Sequence, residues 1–234
     1  MKLSIIVPVL NEATLVAAFL VHLREQAPGA QVVVADGGST DGTREAVRAA
    51  MERWTGNRSL VLVPSARGRA RQMNAGATAA TGDILWFLHV DSRLPPGAVE
   101  SMRRALEDPG LAGGCFRIRI PRPQLVYRVS DSLGNLGVDV FRIALGDHGI
   151  FCRRDAFLGL GGYPQVALME DAELYRRLQR RGRVRQLAPA IETSPRRYEL
   201  HGPCRTTILY CLILGLYVLR VPIPVLARIY ARLR

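Results

Sequence analysis

From residue 3 the chain alternates short, β-branched apolar runs with longer segments of mixed polarity. The runs "LSIIVPV", "QVVVAD", "SLVLVP" and "DILWFLHV" begin at residues 3, 31, 59 and 83, and helix-length segments occupy 12–26, 42–53 and 69–80 between them. A strand with one wet face alternates apolar and polar positions; these runs hardly do, so both faces are expected to be covered. The pattern predicts a parallel sheet joined by right-handed helical crossovers. Ligands of open α/β sheets bind beyond the carboxyl ends of strands, which puts the loops after Val9, Asp36, Pro64 and Val90 on one rim.

After residue 110 the pattern loosens. "CFRIRI", 115–120, sets Arg117 and Arg119 against Phe116, Ile118 and Ile120 and predicts an antiparallel strand with one wet face. A helical stretch near 123–139 precedes a polar loop, "GDHGIFCRRDAF". "EDAELYRRLQRRG", 170–182, has acids first, Leu174 and Leu178 four apart, basic residues late and Gly182 where a C-cap belongs. Pro-containing stretches at 94–96 and 221–224 predict turns. The segment 206–219, "TTILYCLILGLYVL", has no charge but is shorter than the about 20 residues a membrane span needs. The expected organisation is one domain over 1–202 and a helical tail over 203–234. That tail packs on the domain, on a partner subunit in a homodimer, or peripherally on a membrane with Arg220, Arg228, Arg232 and Arg234 near lipid phosphates.

Composition narrows the partners. A formal charge of +12 over 234 residues favours an anionic partner. Nucleic acid is not expected, because aromatic residues make up only 6% and provide no stacking platform. Cys115, Cys152, Cys204 and Cys211 show no CxxC pairing and suggest reduced thiols in a cytoplasmic protein. "MKLSIIVPVL" carries Pro8 and is followed by Asn11 and Glu12, so it reads as a first strand instead of a signal peptide.

Several stretches carry candidate chemistry, each beside a plainer reading. "ADGGSTDGT", 35–43, follows a strand: Asp36 is placed to accept from a base or ribose, while Ser39 or Asp41 equally suits a capped turn. "RGRARQMNAG" opens a helix with Arg67, Arg69 and Arg71, where cations oppose the helix dipole unless an anion such as a diphosphate lies near. Asp91, at a strand tip two residues after His89, is either a turn former or a hard oxygen ligand for Mg²⁺ or Mn²⁺. Glu170 and Asp171, in "MED", suit either a helix start or a general base. His201 in "YELHGPC" and Asp147 and His148 in "GDHG" are candidates for a cap or metal ligand and for a turn or acceptor site, respectively.

Taken in order, these segments resemble the family 2 glycosyltransferases with the GT-A fold, over roughly residues 3–202. "GRARQMNAGA", "FLHVDS", "GDHGIFCRRDAF" and "LMEDAEL" resemble a bacterial subgroup described as selenodomain- or radical-SAM-associated transferases. The resemblance implies an α/β GT-A fold, mostly parallel, with a small antiparallel portion. It implies transfer of a sugar from a nucleotide sugar to a hydroxyl or carboxylate, inverting, divalent-metal assisted and non-processive. Pro8, Asn11, Glu12, Asp36, Arg71 and Asn74 match its nucleotide-sugar side, with Gly37 replacing an acid. "HVDS" matches its Asp-x-Asp metal motif with His89 in place of the first acid and Asp91 as ligand, joined by His201. Glu170 and Asp171 match its catalytic pair, Asp171 as base; His89, Asp147 and His148 fall to the acceptor or surrounding shell. The apolar tail adds a lipid-like acceptor to the candidates. Two rivals remain: a sugar-1-phosphate nucleotidyltransferase, whose Gly-rich basic loop is missing after the first strand, and a non-catalytic module for anionic ligands or membranes.

Overall fold

The computed structural model describes residues 1–54 and 59–233; Arg234 of the expected membrane-facing set lies outside the described residues. The first half follows the alternation. Strands β1 (Leu3–Val9), β2 (Gln31–Asp36) and β3 (Ser59–Pro64) alternate with helices α1 (Ala13–Gln26), α2 (Thr43–Glu52) and α3 (Arg69–Ala79), and β4 (Ile84–Phe87) follows. The second half comprises α4 (Ala98–Ala105), β5 (Leu111–Arg119), α5 (Leu125–Phe141), β6 (Phe151–Arg153), α6 (Arg154–Gly159), α7 (Glu170–Leu178) and β7 (Arg183–Glu192). Helices α8 (Arg196–His201), α9 (Pro203–Val218) and α10 (Ile223–Leu233) close the chain.

The sheet has seven strands in the order β3-β2-β1-β4-β6-β5-β7. All neighbours pair in parallel except β6, which runs antiparallel to both β4 and β5. Successive side chains point to opposite faces, and both faces are buried. Ile5, Val7, Ile84 and Trp86 pack on one side with α1 and α4, while Ile6, Leu85 and Phe87 pack on the other with α3 and α7. Burial on both sides is the physical reason the runs lack polar positions. Trp86 also spends its polar edge, its indole N–H donating to Gly149 O at 2.9 Å.

Three expectations need correction. β4 ends at Phe87, three residues before the apolar run does; the amides of Phe87 and Leu88 then donate to Ile150 O and Ile6 O, and His89–Ser92 closes a turn. β5 begins at Leu111, pairs in parallel with β7, and is wet only at its end; the strand that runs against the others is β6, inside the expected polar loop. α7 stops at Leu178, and Gly182 is no cap. A Cβ on Gly182 would lie 2.9 Å from Gly110 O, so glycine is needed where β7 sets off beside that backbone. The expected turn at the prolines is present, Ala98 N donating to Pro95 O at 3.3 Å, and α4 follows it.

The tail packs on the domain. Ile213 of α9 meets Met169 and Ala172 of the α7 region, and Tyr217 donates to Glu173 Oε1 at 2.6 Å. Among the described residues no helix is long and apolar enough to cross a membrane.

Candidate active site

The tips of β1 and β2 lie level, Val9 opposite Asp36, and the loops that follow them are cross-tied. Asn11 N donates to Ser39 Oγ at 2.9 Å, Thr40 N to Asn11 Oδ1 at 2.9 Å, Glu12 N to Thr43 Oγ1 at 2.8 Å and Ala13 N to Asp41 Oδ2 at 3.0 Å. Asn11 enters the left-handed region at φ 56°, which Asn tolerates better than most side chains. Beneath them Gln72 of α3 is buried, its amide donating to Val9 O at 2.7 Å and Ala35 O at 3.1 Å. These bonds hold the rim in one shape.

A cleft of about 300 Å³ opens above this rim. Pro8, Glu12, Arg67, Arg69, His89 and Asp91 line it, with Asp147 and Arg197 from later elements. Of the residues expected on the nucleotide side, Pro8 and Glu12 are in the lining; Asn11, Asp36, Arg71 and Asn74 are not. Asp36 is 3% exposed and accepts from the amides of Gly38 and Ser39, so its carboxylate builds the turn. Asn74 uses both ends of its amide on the Tyr163 backbone, donating at 2.9 Å and accepting at 2.8 Å. Arg71 reaches Gln165 at 3.4 Å, so of the three arginines in this stretch Arg67 and Arg69 face the cleft. Burial pushes the Glu12 carboxyl upward, against the opposing pull of Arg196 at 3.5 Å.

A second cavity, about 160 Å³, lies behind the first. Arg69, His89, Asp147 and Arg197 line both and form the partition. On its far side Glu170 and Asp171 begin α7, where the first-turn amides favour carboxylates. Met169 just before them adopts φ 64°, a conformation unusual for a long side chain and one found at functional sites. Arg69 donates to Glu170 Oε1 at 3.3 Å. Asp171 is 4% exposed, and its Oδ1 has no hydrogen-bond partner. Burial, reinforced by Glu170, pushes the Asp171 carboxyl up to about 6, while Arg69 and His89 oppose the rise.

His89 Nδ1 pairs with Asp147 Oδ1 at 3.2 Å. Burial pushes the Asp147 carboxyl upward, but the His89 hydrogen bond and charge outweigh it and hold the group well below the usual range. His89 Nε2 is buried without a partner. Gly146 explains how closely these groups meet: a Cβ there would lie 2.6 Å from Asp171 Oδ2 and 2.6 Å from His89 Nε2. His148 lines the second cavity, and burial pushes its imidazole down to about 4, so it is neutral near pH 7. His201 lies apart, lining a small cavity with Arg205 and Leu209, while Asp91 faces the main cleft.

Among the described residues no three His, Cys, Asp or Glu side chains gather as a metal-holding group. The half-buried Asp91 nevertheless offers a hard oxygen to the cleft. That fits Mg²⁺ or Mn²⁺ in the mode where the ion keeps water and is shared between one or two carboxylates and substrate phosphates.

The profile described as "Glycosyl transferase family 2" matches residues 4–152. The chain belongs to this family. The succinoglycan biosynthesis protein ExoA of Rhizobium meliloti (strain 1021) is 33% identical over 198 residues, covering 76% of this chain and 58% of ExoA. The mannosyltransferase PcManGT from Pyrobaculum calidifontis, solved with GDP-Man and Mn²⁺, superposes with TM-score 0.72 at 26% identity, over 98% of this chain and 69% of its own. S. aureus TarS, solved as 1-349 with UDP-GlcNAc, shares the fold with TM-score 0.60 at 19% identity, over 88% and 65%.

This family 2 glycosyltransferase therefore has the GT-A fold, and the matched span takes in β1 through the first two residues of β6. Several site residues gave no usable signal in the sequence. Gln72 looked like any polar helix residue, and Gly146 like a turn glycine. Arg197, which reaches both cavities, sits in an Arg-Arg pair on a short helix beyond the strand pattern.

Proposed function

We propose that the protein transfers single sugar residues from a nucleoside-diphosphate sugar to an acceptor hydroxyl, with inversion at the anomeric carbon and a divalent metal at Asp91. The observation that carries this reading is Asp171: a buried carboxylate with a free oxygen, raised to about 6, across a thin partition from the cleft that Arg67 and Arg69 line. A general base is most effective when its pKa lies near working pH and its proton donor is within reach. The donor's diphosphate would lie in the main cleft near Arg67 and Arg69, at the start of α3, where the helix N-terminus also favours an anion. PcManGT was solved with GDP-Man and Mn²⁺, which supports a nucleotide sugar and a metal here.

In this mechanism Asp171 takes the acceptor's proton as the acceptor oxygen bonds to the anomeric carbon. The bond from that carbon to the diphosphate breaks, and its electron pair leaves with the nucleoside diphosphate. Base and leaving group act from opposite cavities, which is the arrangement inversion requires. Arg67 and Arg69 stabilise negative charge developing on the diphosphate, an effect strengthened where water is scarce. A divalent ion held by Asp91 and phosphate oxygens would add Lewis-acid stabilisation of the same leaving group. The His89–Asp147 pair fixes the wall between the reactants.

The reading also places the enzyme at an anionic lipid surface. Residues 203–233 contain no Asp or Glu, while Arg205, Arg220, Arg228 and Arg232 flank exposed Ile208, Leu212 and Leu219. The donor half is tested by thermal shift with UDP-, GDP- and dTDP-sugars, with and without Mn²⁺. A metal-dependent rise with one base, followed by nucleoside diphosphate release and an inverted product by NMR, is expected. No shift and no release across the panel would overturn it.

A further inference from the structure

We propose that the acceptor is an alcohol carrying a hydrocarbon chain, whose hydroxyl lies at Asp171 and whose chain leaves the second cavity between α5 and α9. This rests on the transferase reading above and names the substrate class of the same site. The cavity has two ends of opposite character. Asp171 Oδ1, His89 Nε2 and both ring nitrogens of His148 are buried and unpartnered, so the free polar capacity belongs to the end of the cavity where the hydroxyl would sit. Its outer part is walled by Leu133, Leu145, Leu168, Ile213 and Leu214. The hydroxyls along that part are already engaged: Ser130 Oγ with Tyr198 OH at 2.8 Å, and Thr207 Oγ1 donating to Pro203 O at 2.9 Å. A sugar acceptor would bring several hydroxyls into a wall with few partners left, at a desolvation cost. An alkyl chain needs none.

The cavity also has a defined way out. Leu133 of α5 and Cys211 of α9 both line it and are both exposed, so they mark its mouth. From that mouth an apolar stripe runs along α5 through Leu125, Val129, Leu133, Leu136 and Val140, all exposed and spaced by four, four, three and four residues on one helix face. A second exposed stripe runs along α9 through Ile208 and Leu212. A cavity of 160 Å³ is close to the size that houses a six-carbon ring in a dry core, so a longer chain must emerge over these stripes.

The test uses the intact chain and the donor that gives release in the nucleotide-sugar panel, with straight-chain alcohols from two to ten carbons and glycerol and glucose as polar acceptors. Donor binding is followed separately, by thermal shift with UDP or GDP plus Mn²⁺. Expected is a kcat/KM that rises roughly three- to fourfold per carbon over about the first six carbons, a length set by the cavity size, and then flattens. Leu133→Glu and Cys211→Asp, both at exposed positions, should lower the steepness of that dependence. A flat series, a preference for glycerol or glucose, or an unaltered slope in both variants overturns the inference and leaves the transferase reading standing. Donor binding with no turnover of any alcohol also overturns it. Absence of both donor binding and nucleoside diphosphate release removes the transferase reading, and the inference with it.

Discussion

Replacing Asp171 with Asn removes the proposed base while keeping its shape, and two measurable quantities should move in opposite directions. Loss of a positioned general base lowers kcat by about 10²–10⁴. Stability should rise. With its carboxyl at about 6 in the folded protein against an ordinary 3.8, ionised Asp171 costs the folded state about 3 kcal/mol above pH 7. The sign follows from proton binding: the folded state holds this proton more tightly than the unfolded one. The wild type therefore loses stability as pH rises from about 4 to above 6, whereas an amide carries no such loss. For a chain of this size the gain at pH 8 corresponds to a rise in Tm of roughly 5–10 °C, shrinking below pH 6 and gone near pH 4. Calorimetry across pH and turnover with the donor and acceptor test both halves. Wild-type turnover in the variant would refute the assignment of the base. An inactive variant with lower Tm at pH 8 would refute the desolvation argument behind its raised pKa.

The same carboxylate sets an acidic limb: turnover should fall tenfold per pH unit below about 6, read from a pH–rate profile. Arg69→Met removes a cation that pulls Asp171 down, so that limb should move to higher pH while KM for the donor rises. Gly146→Ala places a methyl 2.6 Å from Asp171 and His89 and should lower kcat at least tenfold while the donor-induced thermal shift stays close to wild type. Asp91→Ala should abolish the Mn²⁺-dependent part of that shift, and a full Mn²⁺ response in the variant would remove Asp91 from the metal site. Vesicles containing phosphatidylglycerol should carry the protein upward in a flotation gradient at low salt and release it at 0.5 M NaCl, where the Debye length is only about 4 Å, and neutral phosphatidylcholine vesicles should not carry it.

How much of this was legible before the structure depended on what each segment has to satisfy. The four early runs announced themselves because a strand buried on both faces tolerates almost no polar residue. Their helices followed from spacing, and the carboxylates of "MED" stood out at a helix start. β6 was hidden because three residues are too few to show a period, and Asp147 before it, Arg153 within it and Arg154 after it look like loop. β7 was hidden by Pro189 and alternating arginines, which suit its place at the edge of the sheet, where an unused N–H has no ladder to join. Asp36, Arg71 and Asn74 lie outside the lining of the cleft, whereas Arg67 and Arg69 are in it. Nothing in a sequence distinguishes an Asn that faces a ligand from one whose amide is occupied at both ends by a backbone 89 positions away. The second cavity was illegible for a similar reason: α5, α7 and α9 build it from segments whose apolar faces each look like ordinary core.

The cross-tied loops after β1 and β2 have a consequence for engineering. Four short hydrogen bonds link partners 28 to 31 positions apart, so Asn11–Ala13 and Ser39–Thr43 behave as one mechanical unit. A chimera that imported only one of the two segments from a relative would leave backbone amides facing the wrong side chains and displace Glu12 from the cleft. Recombination that respects function must therefore move both segments together, as a single cassette, although an entire helix and strand separate them along the chain.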